Sequence, residues 1–209
     1  MSELVTNLVD LVTSVPPVWR NLLAGFAIML ETSVFAGLIM PGDTIVLVAS
    51  TGVTDWGDFA FLLMAVLIGS MIGETIGFSI GRFFGPKLRA SKLGQKIGEK
   101  NWVAADRLVA KRGGMAIFIS RFLPVLHSVV PAAAGMTKLP FRTFIFWTFL
   151  ACTLWTSMYV GVGFAARASY EQLEENLKIA AFVGIGILLA FLGIIALAKK
   201  ALAKLHHED

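Results

Sequence analysis

Apolar positions in this 209-residue chain gather in long uninterrupted runs instead of alternating with polar ones. A helix needs about 20 mostly apolar residues to cross a bilayer. Residues 59–84, 143–166 and 179–198 meet that requirement, the first interrupted by Glu74 and the other two uncharged, so each is predicted to span. Residues 1–17 read differently. Leu4, Leu8, Leu11, Val12 and Val15 share one helical stripe, with Glu3, Thr6, Asn7 and Asp10 away from it. That pattern predicts an amphipathic helix lying in the interface and ending at Pro16 and Pro17.

Two further apolar stretches are broken near their middles. Residues 21–53 contain Glu31 and then Pro41, Gly42 and Asp43; residues 113–137 contain Arg121, Pro124, His127, Pro131 and Gly135. Proline removes a backbone donor and glycine permits a turn, so each stretch is expected to enter the membrane, reverse and leave by the same face. Pro41, Gly42, Pro124, Pro131 and Gly135 are the expected breaking positions.

Charge sets the orientation. Residues 85–112 with Arg82 carry nine Lys or Arg against Glu99 and Asp106, and the tail 199–209 adds Lys199, Lys200 and Lys204. Basic segments stay on the cytoplasmic side, which makes 85–112 a cytoplasmic loop and the C-terminus cytoplasmic. Asp55, Asp58, Glu171, Glu174 and Glu175 mark the opposite face. If Arg112 and Arg142 are both cytoplasmic, 113–137 must be a hairpin, and 21–53 must dip in from outside. The expected fold is all-α: a single polytopic membrane domain with two opposed re-entrant hairpins, three full spans and an N-terminal amphipathic helix. A hairpin followed by a span, given twice with opposite entry, is the inverted-repeat plan of secondary transporters.

Composition agrees. The chain is 56% hydrophobic and 15% charged, with a mean hydropathy of +0.76; soluble domains carry roughly 25% charged residues. A soluble enzyme or repeat protein is excluded. The net charge of +4 follows from the basic loop and tail, not from a face interleaving bases with stacking aromatics, so nucleic acid is not the expected partner. Cys152 is the sole cysteine and can form no internal disulfide. Glu3 and Asp10 precede any Lys or Arg, unlike the basic start of a cleaved signal. Metal-ligand clusters and nucleotide loops are missing from the sequence, and no cofactor is expected.

The residues that need explaining are charges placed in hydrocarbon. Each costs roughly 2.5 to 3.5 kcal/mol at the bilayer centre on insertion scales, so Glu31, Asp43, Glu74 and Arg121 must meet one another or water. They can converge only if the two hairpin tips touch. The bland interpretation is a buried Asp43–Arg121 ion pair that fixes the hairpins. The functional one is a polar site in which Arg121 offers a planar fork to phosphate and desolvated Glu31 exchanges a proton. Gly69, Gly73, Gly77 and Gly81 recur every fourth residue, the spacing that lets helices pack closely within one chain or between two copies in a homodimer. Ser120, Arg121 and His127 also match part of a membrane lipid phosphatase signature with a histidine nucleophile. Position 131 is Pro where an orienting Asp is needed, and the second element is missing, so no catalytic residue is assigned.

Taken in order, several motifs carry a family resemblance: Glu31 with Met40-Pro41-Gly42-Asp43, Gly69-x3-Gly73-Glu74-x2-Gly77-x3-Gly81-Arg82-x2-Gly85, Ser120-Arg121-Phe122-Leu123-Pro124, Pro131-x3-Gly135-Met136, Phe144 and Trp155. The chain resembles the DedA family of bacterial membrane proteins, related to eukaryotic scramblases through the VTT, or SNARE-associated, domain. The resemblance implies residence in the bacterial cytoplasmic (inner) membrane and a role in returning undecaprenyl phosphate or a similar polyprenyl phosphate carrier across it, coupled to the proton-motive force. Glu31 and Asp43 match the family's embedded acids, with Glu74 a further candidate for coupling or gating, and Arg121 matches its first essential arginine. The family's second arginine is replaced here by His127, which could still hold phosphate when protonated. Two other transport classes fit the residues: a proton-coupled exporter of small cations or drugs, and an energy-independent phospholipid scramblase.

Overall fold

The computed structural model describes residues 14–33, 42–123, 126–137 and 139–172, and among them every regular element is helical. Eight helices follow in order: α1 (Pro17–Ser33), α2 (Gly42–Thr51), α3 (Trp56–Ala90), α4 (Lys92–Ile97), α5 (Glu99–Arg112), α6 (Met115–Ser120), α7 (Leu126–Met136) and α8 (Phe141–Gln172). The expected interfacial helix at 1–17 falls almost wholly outside the described residues, as do the breaking positions Pro41 and Pro124, the span 179–198 and the tail.

α3 is the axis. Its 35 residues extend about 52 Å at 1.5 Å per residue. Asp55 starts it, accepting from the N–H groups of Gly57 at 2.8 Å and Asp58 at 3.0 Å. These donors, Asp58 first, hold the Asp55 carboxyl below the usual carboxylate range. A lowered folded value means that the cap stabilises fully above the ordinary carboxylate range and is lost as pH falls through that lowered value. Asp55→Asn keeps the acceptor but cannot titrate, so the acid limb of a tryptophan-fluorescence unfolding curve should become less steep in that variant.

The other helices fold back against this axis. Arg20, near the start of α1, donates from Nη1 to the Gly52 carbonyl just beyond α2 at 2.6 Å, so the two ends of this pair sit together. Arg20 also pairs with Asp58 at the start of α3, and Asn21 Nδ2 donates to Asp58 Oδ1 at 2.7 Å. All three side chains are buried. From this base α1 runs alongside α3: Gly25 lies against Ala65 and Gly69, and Thr32 against Gly73 and Gly77. α2 returns from beside Glu31 and Ala27, where Gly42 lies, to the base.

α6 and α7 form a second pair at the other end. Gly114, before α6, packs on Trp147 and Thr143 at the start of α8, while α7 continues along α3 with Pro131 by Gly77, Ala132 by Gly81 and Met136 by Gly85. α8 runs antiparallel to α3, from Phe141 and Phe144 beside Phe78 to Phe164 beside Trp56 and Phe59. Each long helix thus packs one arm of each pair: α3 takes α1 and α7, and α8 takes α2 and α6.

Several boundaries differ from those read in the sequence. The span expected at 59–84 is part of a helix reaching from Trp56 to Ala90, and 85–112 is not a loop. It completes α3 and forms α4 and α5, because its basic residues alternate with an apolar face whose Trp102 is fully buried and donates from Nε1 to the Gly94 carbonyl at 3.0 Å. Arg89 joins these helices by pairing with Glu99 and with Asp106 at 2.8 Å. Gly98 and Gly113, at φ 86° and 54°, make the turns on either side of α5. Pro131 and Gly135 are not breaks: both lie inside α7. Pro131 leaves the His127 carbonyl without its helical donor, and Gly135 lets α7 approach the backbone of Phe78 and Arg82.

α3 and the Phe141–Arg167 part of α8 are long and apolar enough to cross a membrane, and most of each apolar window is uncovered by protein. Exposed Phe26 on α1, Ile68, Ile72 and Ile76 on α3, and Phe146, Phe149 and Leu154 on α8 make a broad apolar exterior. An exterior of that extent suits hydrocarbon, not water.

Candidate functional site

The buried apolar residues divide into two clusters. One joins α1 and α2 to the first half of α3 and the second half of α8; the other joins α5, α6 and α7 to the remaining halves. Between them, where the two helix pairs meet beside the middle of α3, lies a layer of ionisable side chains.

Glu31 closes the first pair. It sits in the last turn of α1, 4% exposed, and its Oε2 accepts the backbone N–H of Asp43 at 2.9 Å. That donor belongs to the first turn of α2, where unpaired N–H groups and the helix dipole favour a carboxylate. Gly42 permits the arrangement, since a Cβ there would collide with Glu31 Oε2. Asp43 lies partly buried, within electrostatic reach of Glu31, His127 and Arg121.

Arg121 and His127 come from the second pair. Arg121, 4% exposed just after α6, donates from Nη1 to Glu74 Oε1 at 3.0 Å and from Nη2 to Ser70 Oγ at 3.3 Å. Its guanidinium lies over the Trp155 ring, 4.3 Å from the centroid, and Trp155 stacks on Tyr159 at 4.1 Å. Arg121 Nε is buried with no protein partner. His127, near the start of α7, places Nε2 3.5 Å from Glu31 Oε1, close enough for charge attraction but outside hydrogen-bond geometry; that nitrogen too has no hydrogen bond from the protein.

Glu31, Asp43, Glu74, Arg121 and His127 lie together in this layer. The Asp43–Arg121 pair of the bland interpretation is not formed; Arg121 pairs with Glu74 on α3. The reason is position: Glu74 is fixed at the middle of the axis, beside which α6 ends. Gly69, Gly73, Gly77 and Gly81 line the same axis and are filled from within the chain by Gly25, Thr32, Pro131 and Ala132.

Sequence reasoning missed several contributors. Ser70 and Trp155 looked like ordinary span residues, and Cys152 like packing alone, yet its thiol lies 3.7 Å from Glu74 Oε1. Cys152 and Trp155 lie one turn apart on a line with Thr148, Thr156 and Tyr159, and that polar stripe on α8 was the available signal. Glu31 likewise gives His127 an acidic neighbour that its own motif lacks. Among the described residues no group of three His, Cys, Asp or Glu side chains could hold a metal ion.

The profile of the VTT domain matches residues 40–165, more than half of the chain. The chain belongs to the VTT-domain family. Among its relatives, Protein DedA of Escherichia coli strain K12 is 27% identical over 186 residues, covering 87% of this chain and 84% of that protein. An alkaline phosphatase-like protein of Lactococcus lactis subsp. cremoris is 26% identical over 147 residues, 66% of this chain and 69% of its own. Undecaprenyl phosphate transporter A of Bacillus subtilis matches a shorter part, 29% identical over 65 residues, 31% of this chain and 33% of that protein. No solved structure matches the chain significantly. The VTT-domain match spans Gly42, Asp43, Glu74, Arg121 and His127, and begins after Glu31.

Proposed function

We propose that this VTT-domain protein is a membrane lipid transporter that carries a polyprenyl phosphate of the undecaprenyl type across the cytoplasmic membrane, head group through the ionisable layer and tail in lipid. The observation that carries this reading is the meeting of Glu31 and Asp43 from one helix pair with Arg121 and His127 from the other, beside Glu74 and inside apolar surroundings. The two pairs are read as re-entrant hairpins from opposite faces, and the exchange of arms between α3 and α8 supports an inverted repeat. α3 and α8 serve as full spans. The named activity of the Bacillus relative supports a polyprenyl phosphate as substrate, and Arg121 and His127 supply its phosphate contacts.

Charge counting links transport to protons. Three carboxyl groups face one guanidinium and one imidazole, so acids outnumber bases in the site. Proton uptake by the acids is the proposed counterpart of phosphate binding. Binding and proton uptake are then a single event, which is the physical basis of proton-motive-force coupling. The same acid excess favours the rival reading, in which a small organic cation replaces the protons.

Both readings are tested in liposomes holding the pure protein. Labelled polyprenyl phosphate should move faster with an imposed pH gradient, and Glu31→Gln should abolish the stimulation. His127→Arg should keep transport, because arginine places a permanent cation and a planar donor fork for phosphate at that position. Gradient-driven movement of a cationic dye with no movement of the lipid would support the exporter. Equal movement of ordinary phospholipids in wild type and Glu31→Gln would support a scramblase. Release of inorganic phosphate in the same vesicles would revive the phosphatase reading.

A further inference from the structure

The end of α3 and the two helices after it carry a charge pattern that the transport reading leaves unused. Residues 82–112 hold nine Lys or Arg against Glu99 and Asp106, and both acids are turned onto one base. Glu99 Oε2 accepts from Arg89 Nε at 3.2 Å, and Asp106 Oδ2 accepts from Arg89 Nη1 at 2.8 Å. Every other base in the segment is exposed. On α4, Lys92 and Lys96 stand four residues apart. On α5, Lys100, Arg107 and Lys111 fall on one stripe, opposite the buried Trp102, Ala105 and Val109. Like charges at four-residue spacing destabilise a helix, and anions supplied from outside relieve that repulsion.

The position of the bases says which anions these are. Phe83 and Phe84 on α3 are 77% and 57% exposed, and Met115, at the start of α6, is 42% exposed. Lys87 lies one turn beyond Phe83. The bases therefore stand between two exposed apolar edges, the order in which hydrocarbon gives way to headgroups, and long cationic side chains suit that boundary. A soluble acidic partner needs no such edges. We propose that the outward faces of α4 and α5, together with Lys87, bind the headgroups of anionic phospholipids in the leaflet at this end of the molecule. Each base close to such a surface strengthens the attraction about fivefold. The face is preformed, because Arg89 ties α3 to α5 and Trp102 is fully buried beneath it, so binding orders only the basic side chains. The proposal goes beyond the transport reading and does not depend on which lipid is carried.

The test is native mass spectrometry of the full-length protein in nonionic detergent, titrated with phosphatidylglycerol or with phosphatidylcholine of identical chains. Phosphatidylglycerol should be retained at lower concentration than phosphatidylcholine, and the preference should shrink as ammonium acetate is raised, since salt screens exposed charge. Lys92→Gln, Lys96→Gln and Lys100→Gln combined should weaken phosphatidylglycerol retention about a hundredfold, roughly fivefold for each base. The same variant should leave phosphatidylcholine retention and the melting temperature in phosphatidylcholine unchanged, because all three side chains are exposed. Lys92→Arg, Lys96→Arg and Lys100→Arg combined should keep the preference. Equal retention of the two lipids by the unmodified protein would overturn the proposal, as would an undiminished preference in the glutamine variant. Binding of a poly-glutamate peptide without any preference for phosphatidylglycerol would also overturn it, and would assign the face to a soluble acidic partner. None of these readouts requires lipid to move, so failure here is distinguishable from failure of the transport assignment.

Discussion

Arg121→Met should destabilise the protein by about 3–5 kcal/mol, the usual cost of leaving one member of a buried ion pair without its partner. The stranded group is Glu74, which faces Arg121 at 3.0 Å between the two apolar clusters. Adding Glu74→Gln to Arg121→Met removes the stranded charge, and most of the lost stability should return, since an ion pair exchanged whole for neutral groups is often tolerated. Lipid flux should not return. A thermal-unfolding series in lipid over wild type, both single variants and the double variant, with flux measured on each, separates fold from function. Recovery of stability and flux together would mean that Arg121 only holds the helix pairs in place.

Gly81→Ala is expected to have the next largest effect. A Cβ at Gly81 would sit against the backbone carbonyl of Ala132, with the Ala132 Cα at 2.7 Å, and backbone cannot rotate away as a side chain can. α7 must move off α3, at a cost of about 1–3 kcal/mol or more for overpacking. His127 moves with it, so flux should fall further than stability alone explains. Gly161 gives the contrast: a Cβ there meets nothing within 4 Å, and Gly161→Ala should be neutral or stabilising by up to about 1 kcal/mol through helix propensity. Equal melting temperatures for the two alanine variants would show that the glycine stripe is not in tight contact with α7.

The course of the chain was legible wherever a residue broke a pattern. Glu31, Asp43, Glu74 and Arg121 stood out because charge in an apolar run demands a partner, and each of them lies in the layer between the two apolar clusters. The same signal misled at Pro131 and Gly135, where an internal proline was read as a break. α7 accommodates it because α3 packs against that turn and the only loss is a bond to the His127 carbonyl. The segment 85–112 was legible as basic but not as helical, since its charges mask the apolar face centred on Trp102. The Arg20–Asp58 pair was invisible for another reason: it joins residues 38 apart, and only the parallel course of α1 and α3 brings them together. Ser70, Cys152 and Trp155 carry no charge, and their place in the site follows from the register of α8 against α3.

Under the proposed function, both helix pairs bring their ionisable groups to the middle of the bilayer from opposite faces. Spin labels at exposed positions, introduced one at a time after Cys152→Ala, measure it directly through the ratio of oxygen to nickel-complex accessibility. Labels at Ile72 on α3 and Leu154 on α8, level with Glu74 and Trp155, should report the greatest depth. Labels at Trp19 and Trp56 should lie in the headgroup region of one leaflet, and labels at Phe83 and Phe141 in that of the other. Maximal depth at Trp19 or Phe83, or water-like accessibility at Ile72 and Leu154, would show that the ionisable layer does not lie at the bilayer centre.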